Sequence, residues 1–210
     1  MILGYISLIF GLLFLLALIV LHFLKRDLDP SKHLVNEYEL GEYGWLMQGA
    51  FFSLAASLLF ALIAMWPALF SGGGVISRWW FLVIVLSLIG VGVLKPGPQA
   101  GYASNRNNQL HRLFGAVILF TFPLTASLAV GSLVKNPFWA PSSGWLILAV
   151  VLCWLGLLGF LFSFFFAPKL DARSARKYGP LRHQGWTNRI NVALYVFWLL
   201  VVAVNAIKML

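Results

Sequence analysis

The sequence predicts an all-α polytopic membrane protein, a six-transmembrane-helix bundle with its N- and C-termini both on the outer side. Three observations carry that reading. Hydrophobic residues make up 61% of the 210 positions and charged residues only 10%, far below the roughly 25% charged of a soluble domain. The apolar residues gather into six stretches, most of which reach the ~20 residues a helix needs to cross a hydrocarbon core of about 30 Å. All fifteen Lys and Arg fall between these stretches or at their ends, and they alternate, with twelve on one side against three on the other.

Each element follows from where charge and turn residues interrupt the apolar run. Span one covers about 2–23 and is followed by Lys25, Arg26 and Lys32, which places the N-terminus outside by the positive-inside rule. It is not read as a cleaved signal, since no basic residue precedes it and no A-x-A site follows. Span two covers about 45–70, bracketed by Trp45 and Trp66, and Ser71-Gly-Gly-Gly74 reads as a tight outer turn. Span three, about 76–94, is long enough if Arg78 reaches to the headgroups. Span four, about 112–133, contains Pro123, which cannot donate to the carbonyl of Leu119 and is expected to kink the helix, with Thr121 and Thr125 near enough to cap freed carbonyls. Span five, about 145–166, follows an outer loop with Pro137 and Pro141 and two boundary tryptophans, Trp139 and Trp145. Span six, about 189–207, leaves Lys208 alone outside. The loops leave no room for a second domain, so residues 1–210 form one membrane unit.

Several function classes are disfavoured. The net charge of +9 is distributed as membrane topology rather than as a basic helix or an aromatic-basic weave, so nucleic acid is not an expected partner. No span holds Asp, Glu, Lys or Arg at its middle, which argues against ion-coupled transport. The long acidic first loop has no counterpart after span four, so the chain is not two related halves. No G-x-S-x-G, P-loop or H-E-x-x-H occurs, and four histidines spread over three regions give no metal-ligand spacing. The single Cys153 lies within span five and allows no intramolecular disulfide. Neither metal nor cofactor is implied by these patterns, and whether the chain is an enzyme is left open.

All six acids share the twelve-cation side, so polar chemistry concentrates on one face. Three segments reach the membrane from that face: Asp29-Pro30 through Asn36-Glu37-Tyr38 to Gly44-Trp45, then Lys95-Pro96-Gly97-Pro98 to His111-Arg112, then Gly185-Trp186-Thr187-Asn188-Arg189. On these motifs, together with Phe120 and Pro123 after His111, the chain resembles the prokaryotic six-helix membrane family known as domain of unknown function 998 over essentially its whole length. The resemblance implies the fold and a prokaryotic plasma membrane, and it brings no activity. Asn36 stands where that family often has Ser, and Lys95-Pro96 where it often has a Thr-Asp-like pair; chemistry resting on those residues is lost here.

Three functional readings follow. In the first, Glu37, Tyr38, His111, Arg112, Asn188 and Arg189 bind a lipid or amphiphile headgroup, Arg112 and Arg189 pairing with an anion, His111 acting as donor or acid-base group and Glu37 orienting it. Its structural counterpart is a clamp in which Glu37 pairs with Arg189 or Arg112. In the second, the chain is a non-enzymatic assembly subunit of a membrane complex. There the small residues Gly49, Ser53, Ser57 and Ala61 at a spacing of four admit another helix, although packing inside the bundle is the plainer use of such a stripe. In the third, His22 and His111 from one leaflet ligate a b-type haem.

Overall fold

The computed structural model describes residues 1–94, 106–165 and 184–208. Six long helices carry it: α1 (Ile2–Leu24), α2 (Gly44–Met65), α3 (Gly72–Val93), α4 (Arg106–Leu133), α5 (Ser143–Phe165) and α6 (Gln184–Ile207). Short 3₁₀ turns occupy Val35–Glu39, Trp66–Ala68 and Ala140–Ser142, and no strand occurs among the described residues. All six helices are long and apolar enough to cross a membrane, so the chain is a multi-pass membrane protein. The remainder of the second basic loop (Lys95, Pro96, Pro98) and the third (Lys169 through His183) lie outside the described residues.

Consecutive helices pack side by side, and α6 returns to α1, closing a ring in chain order; α2 and α6 also touch across it. The first loop covers one end, termed here the cap end. The 66–71 and 134–142 connections form the far end.

Polar side chains tie neighbouring helices where the apolar faces alone would slide. Ser7 Oγ donates to the Ser57 carbonyl at 2.9 Å and Ser57 Oγ donates to the Ser7 carbonyl at 2.8 Å, a reciprocal clasp between α1 and α2. At the far end Ser132 Oγ of α4 donates to the Ala68 carbonyl and accepts the N–H groups of Phe70 and Ser71. Ser142 donates to Asn205 Oδ1, joining the 3₁₀ turn that leads into α5 to α6.

Three features of the far end differ from expectation. The glycines after Ser71 are not a turn but the first turn of α3, because Ser71 Oγ accepts the Gly74 N–H at 3.1 Å and so nucleates the helix. Arg78 does not merely extend to headgroups. It lies over the Trp66 ring at 4.6 Å and donates to the carbonyls of Trp66, at 3.0 Å, and Leu69, capping the end of α2 where bare carbonyls and the helix dipole favour a cation. Trp139, read as interfacial, is buried in the core.

Pro123 leaves α4 helical throughout. The carbonyl it cannot serve, that of Leu119, receives the Tyr195 hydroxyl of α6 at 2.7 Å. Thr121, Thr125 and Ser127 each donate to the carbonyl four residues back, those of Val117, Thr121 and Pro123. Tyr195→Phe is therefore expected to cost about 1 kcal/mol, the usual net worth of such a bond. Pro123→Ala restores an N–H to that carbonyl, so the same Tyr195 change should cost measurably less in the Pro123→Ala background. Equilibrium unfolding of the four variants in mixed micelles decides it; equal costs in both backgrounds would mean the two residues do not serve one carbonyl.

Candidate functional site

The first loop folds back as a cap over the ring. Its start is set by Asp29, whose Oδ1 accepts both the N–H and the hydroxyl of Ser31, at 2.9 and 2.7 Å. Those two bonds hold its carboxyl down at about 2. The 3₁₀ turn Val35–Glu39 follows, its Leu34 N–H held by Glu37 Oε1 at 3.2 Å. Tyr43 then takes a left-handed conformation (φ 62) as the chain enters α2, and the glycine beside it is needed for contact: a Cβ on Gly44 would lie 2.1 Å from the Glu39 carbonyl oxygen.

Two cations hold the cap by its carbonyls. Arg189 of α6 donates through one Nη to the carbonyls of Pro30 at 2.8 Å, His33 at 2.6 Å and Gly185 at 3.0 Å. Its other Nη donates to the Tyr38 hydroxyl at 2.8 Å. The guanidinium also lies 5.1 Å from the Tyr38 ring centroid. Three carbonyls share the protons of one nitrogen while the second nitrogen reaches Tyr38, a spread over two donor nitrogens that the single nitrogen of an ammonium lacks. Lys25, at the end of α1, donates to the carbonyls of Tyr38, at 2.9 Å, and Leu40. Burial pushes its ammonium below the usual lysine range, with Asp27 opposing. Asn188 Oδ1 accepts the Val35 N–H at 3.0 Å, and the Gly185 N–H donates to Ser31. A Cβ on Gly185 would meet the Pro30 oxygen at 2.2 Å, so only glycine lets α6 approach this closely.

His111, fully buried, joins the cap to α4. Its Nδ1 bonds the Leu94 carbonyl and lies 3.7 Å from Glu39 Oε2, while its Nε2 faces the Asn36 amide nitrogen at 3.3 Å. With Nδ1 donating, Nε2 is the acceptor for the Asn36 amide. Glu37 instead turns to His33, Oε2 to Nδ1 at 2.5 Å.

Below the cap lies a cavity of about 430 Å³. Leu34, Val35 and Asn36 of the cap roof it together with His111 and Asn188; Leu54, Leu58, Ile84, Leu88 and Val91 form one wall, and α4, α5 and α6 the other. Its floor is aromatic: Phe122 stacks on Tyr195 at 4.6 Å, and Trp198 and Phe81 pack behind them. Along α4 the cavity runs from His111 to Phe122, roughly 16 Å at a rise of ~1.5 Å per residue, about one leaflet. It reaches the surface between α4 and α5, where its lining residues Arg112, Phe120, Phe164 and Phe165 are exposed. Nearer the far end those helices are tied by Trp154 Nε1 donating to Ser127 Oγ at 3.0 Å.

The structure thus draws the residues singled out in the sequence into two groups. Tyr38, Asn188 and Arg189 hold the cap, with Glu37 inside it; His111, Arg112 and Asn188 line the cavity. Sequence reasoning missed Glu39 and Lys25. The signal for Glu39 lay in the 3₁₀ turn, whose threefold period puts residues i and i+3 on one side. Asn36 and Glu39 accordingly face His111 while Glu37 points elsewhere. His22 packs against Phe23 and Trp186, apart from the surroundings of His111. On α2, Gly49 is exposed and Ser53 half-buried, whereas Ser57 and Ala61 are buried. A spacing of four drifts about 40° per step around a helix, so the stripe rotates from the surface into the core.

No curated protein and no solved structure matches the chain. A family described as a "Protein of unknown function" matches residues 8–205.

Proposed function

The chain belongs to that family, DUF998, and from this premise, which supplies a family and no activity, we propose that the protein is a binding module for an amphiphile whose chain occupies the cavity below the cap. One observation carries the reading: an apolar chamber about a leaflet deep, with a few polar groups at one end only. Binding sites for small molecules are mostly apolar with a few convergent polar groups, and volumes of about 300–1,000 Å³ are usual. Here Asn36, His111, Arg112 and Asn188 supply the polar end, and no carboxylate lines the cavity among the described residues. In this reading the cap end is cytoplasmic and both termini are outside, supported by the twelve-to-three distribution of Lys and Arg. The membrane is then the prokaryotic plasma membrane.

Gly115 provides the test. It lines the cavity, and a Cβ built there meets nothing within 4 Å. Gly115→Leu should fill the chamber without a clash and keep the fold. The expected result is at least a tenfold loss in retention of a fluorescent single-chain amphiphile by the purified protein, with the melting temperature held or raised. Undiminished binding by a well-folded Gly115→Leu protein would refute the cavity as the binding site.

A further inference from the structure

We infer that the ligand carries an anionic headgroup, seated on Arg112, and loads sideways from the leaflet between α4 and α5 rather than from water through the cap. This rests on the amphiphile reading and specifies its chemistry and its source.

The headgroup follows from what the described cations of the first loop and α6 are doing. Arg189 and Lys25 have their protons on cap carbonyls, and Lys32 pairs with Asp29 at 3.2 Å. Arg26 donates to the carbonyl of Phe23 at its own helix end. His111 is enclosed by Leu94, Glu39 and Asn36. Arg112 differs from all of these: it lines the cavity, is exposed, and makes no ion pair among the described residues. A guanidinium at the mouth of an apolar chamber, with the Asn36 amide nearby, suits a carboxylate or a phosphate monoester, both of which accept paired N–H donors. The size of the chamber fits one chain rather than two.

The route follows from the asymmetry of the walls. On the aqueous side, Val35, Tyr38, Glu39 and Lys25 are buried, and the cap is fastened to α1, α4 and α6. Opening it requires releasing Arg189 and Lys25 together from the cap carbonyls they hold. Between α4 and α5 the lining is itself surface, built of Phe120, Phe164 and Phe165, side chains at home among acyl chains. A ligand already in the leaflet need break nothing polar to enter there.

The test uses the full chain in nanodiscs. Binding of a long-chain fatty acid, a lysophosphatidic acid and a long-chain alcohol is compared for wild type, Arg112→Gln and Gly115→Leu. Arg112→Gln should weaken one or both anionic ligands at least tenfold and leave the alcohol unchanged, and which anion loses more separates carboxylate from phosphate. Equal binding of all three by Arg112→Gln and wild type would overturn the headgroup assignment. Loss of no ligand by Gly115→Leu would instead overturn the underlying cavity reading. For the route, Cys153 is replaced by Ala and a single cysteine placed at Phe164 or, as control, at Lys32 of the cap. A bulky maleimide adduct at Phe164→Cys should slow loading severalfold and one at Lys32→Cys should not. The reverse pattern, or competition by inorganic phosphate and short-chain carboxylates in solution, would establish entry from water. An impermeant maleimide should reach Lys32→Cys only from the cytoplasmic side.

Discussion

Replacing Arg189 by Met is expected to cost about 3–4 kcal/mol, because it strips the donors from three carbonyls and the Tyr38 hydroxyl at once. Bonds from charged donors are worth about 1.5–3 kcal/mol each, and water at the membrane surface recovers part of that loss. The cap should loosen before the ring opens, since the interhelical ties of Ser7, Ser57 and Ser132 lie elsewhere. A cysteine substituted for buried Val35 should then become reactive in Arg189→Met while the helix content is retained. Arg189→Lys should fall between the two, as one ammonium cannot reach acceptors spread around a fork. If Arg189→Met melts within a degree of wild type and Val35→Cys stays protected, the cap does not depend on this side chain.

His111→Leu is the second large effect, about 1–3 kcal/mol, the cost of leaving buried polar groups unmatched. The imidazole also holds the Leu94 carbonyl and faces Asn36, so three groups change partners together. Replacing Glu39 by Leu should cost less in the His111→Leu background than in wild type, because its carboxyl approaches Nδ1 to 3.7 Å. Denaturant unfolding of both single variants and the double variant in micelles measures the coupling. Strictly additive costs would show that Glu39 and His111 act independently.

Much of the architecture was legible because membrane insertion writes itself in composition. Six apolar runs and the alternation of cations specify six helices, and Pro123 identifies the carbonyl that needs outside help. What was not legible is instructive. Glu37 and Glu39 flank the same tyrosine and look equivalent until the local helix type is known; a period of three then sends one to His33 and the other to His111. Arg189 looked like a partner for an acid because it is charged, yet its geometry favours carbonyls of a folded loop. Arg78 likewise caps a helix end. The cavity had no signature, since Leu54, Ile84 or Leu88 facing an empty chamber and facing a packed neighbour are the same letters. Gly115, Phe120 and Phe164 acquire meaning only once three helices are placed around them.

The exchange of hydroxyl protons between Ser7 and Ser57 bears on how the chain enters the membrane. Each serine serves the backbone of the other helix, so neither looks to a later segment for a partner. The first two helices can therefore pair as a hairpin with both of these hydroxyls already satisfied. Closure of the ring then falls to α6, which packs back on α1 and carries the arginine that latches the first loop shut.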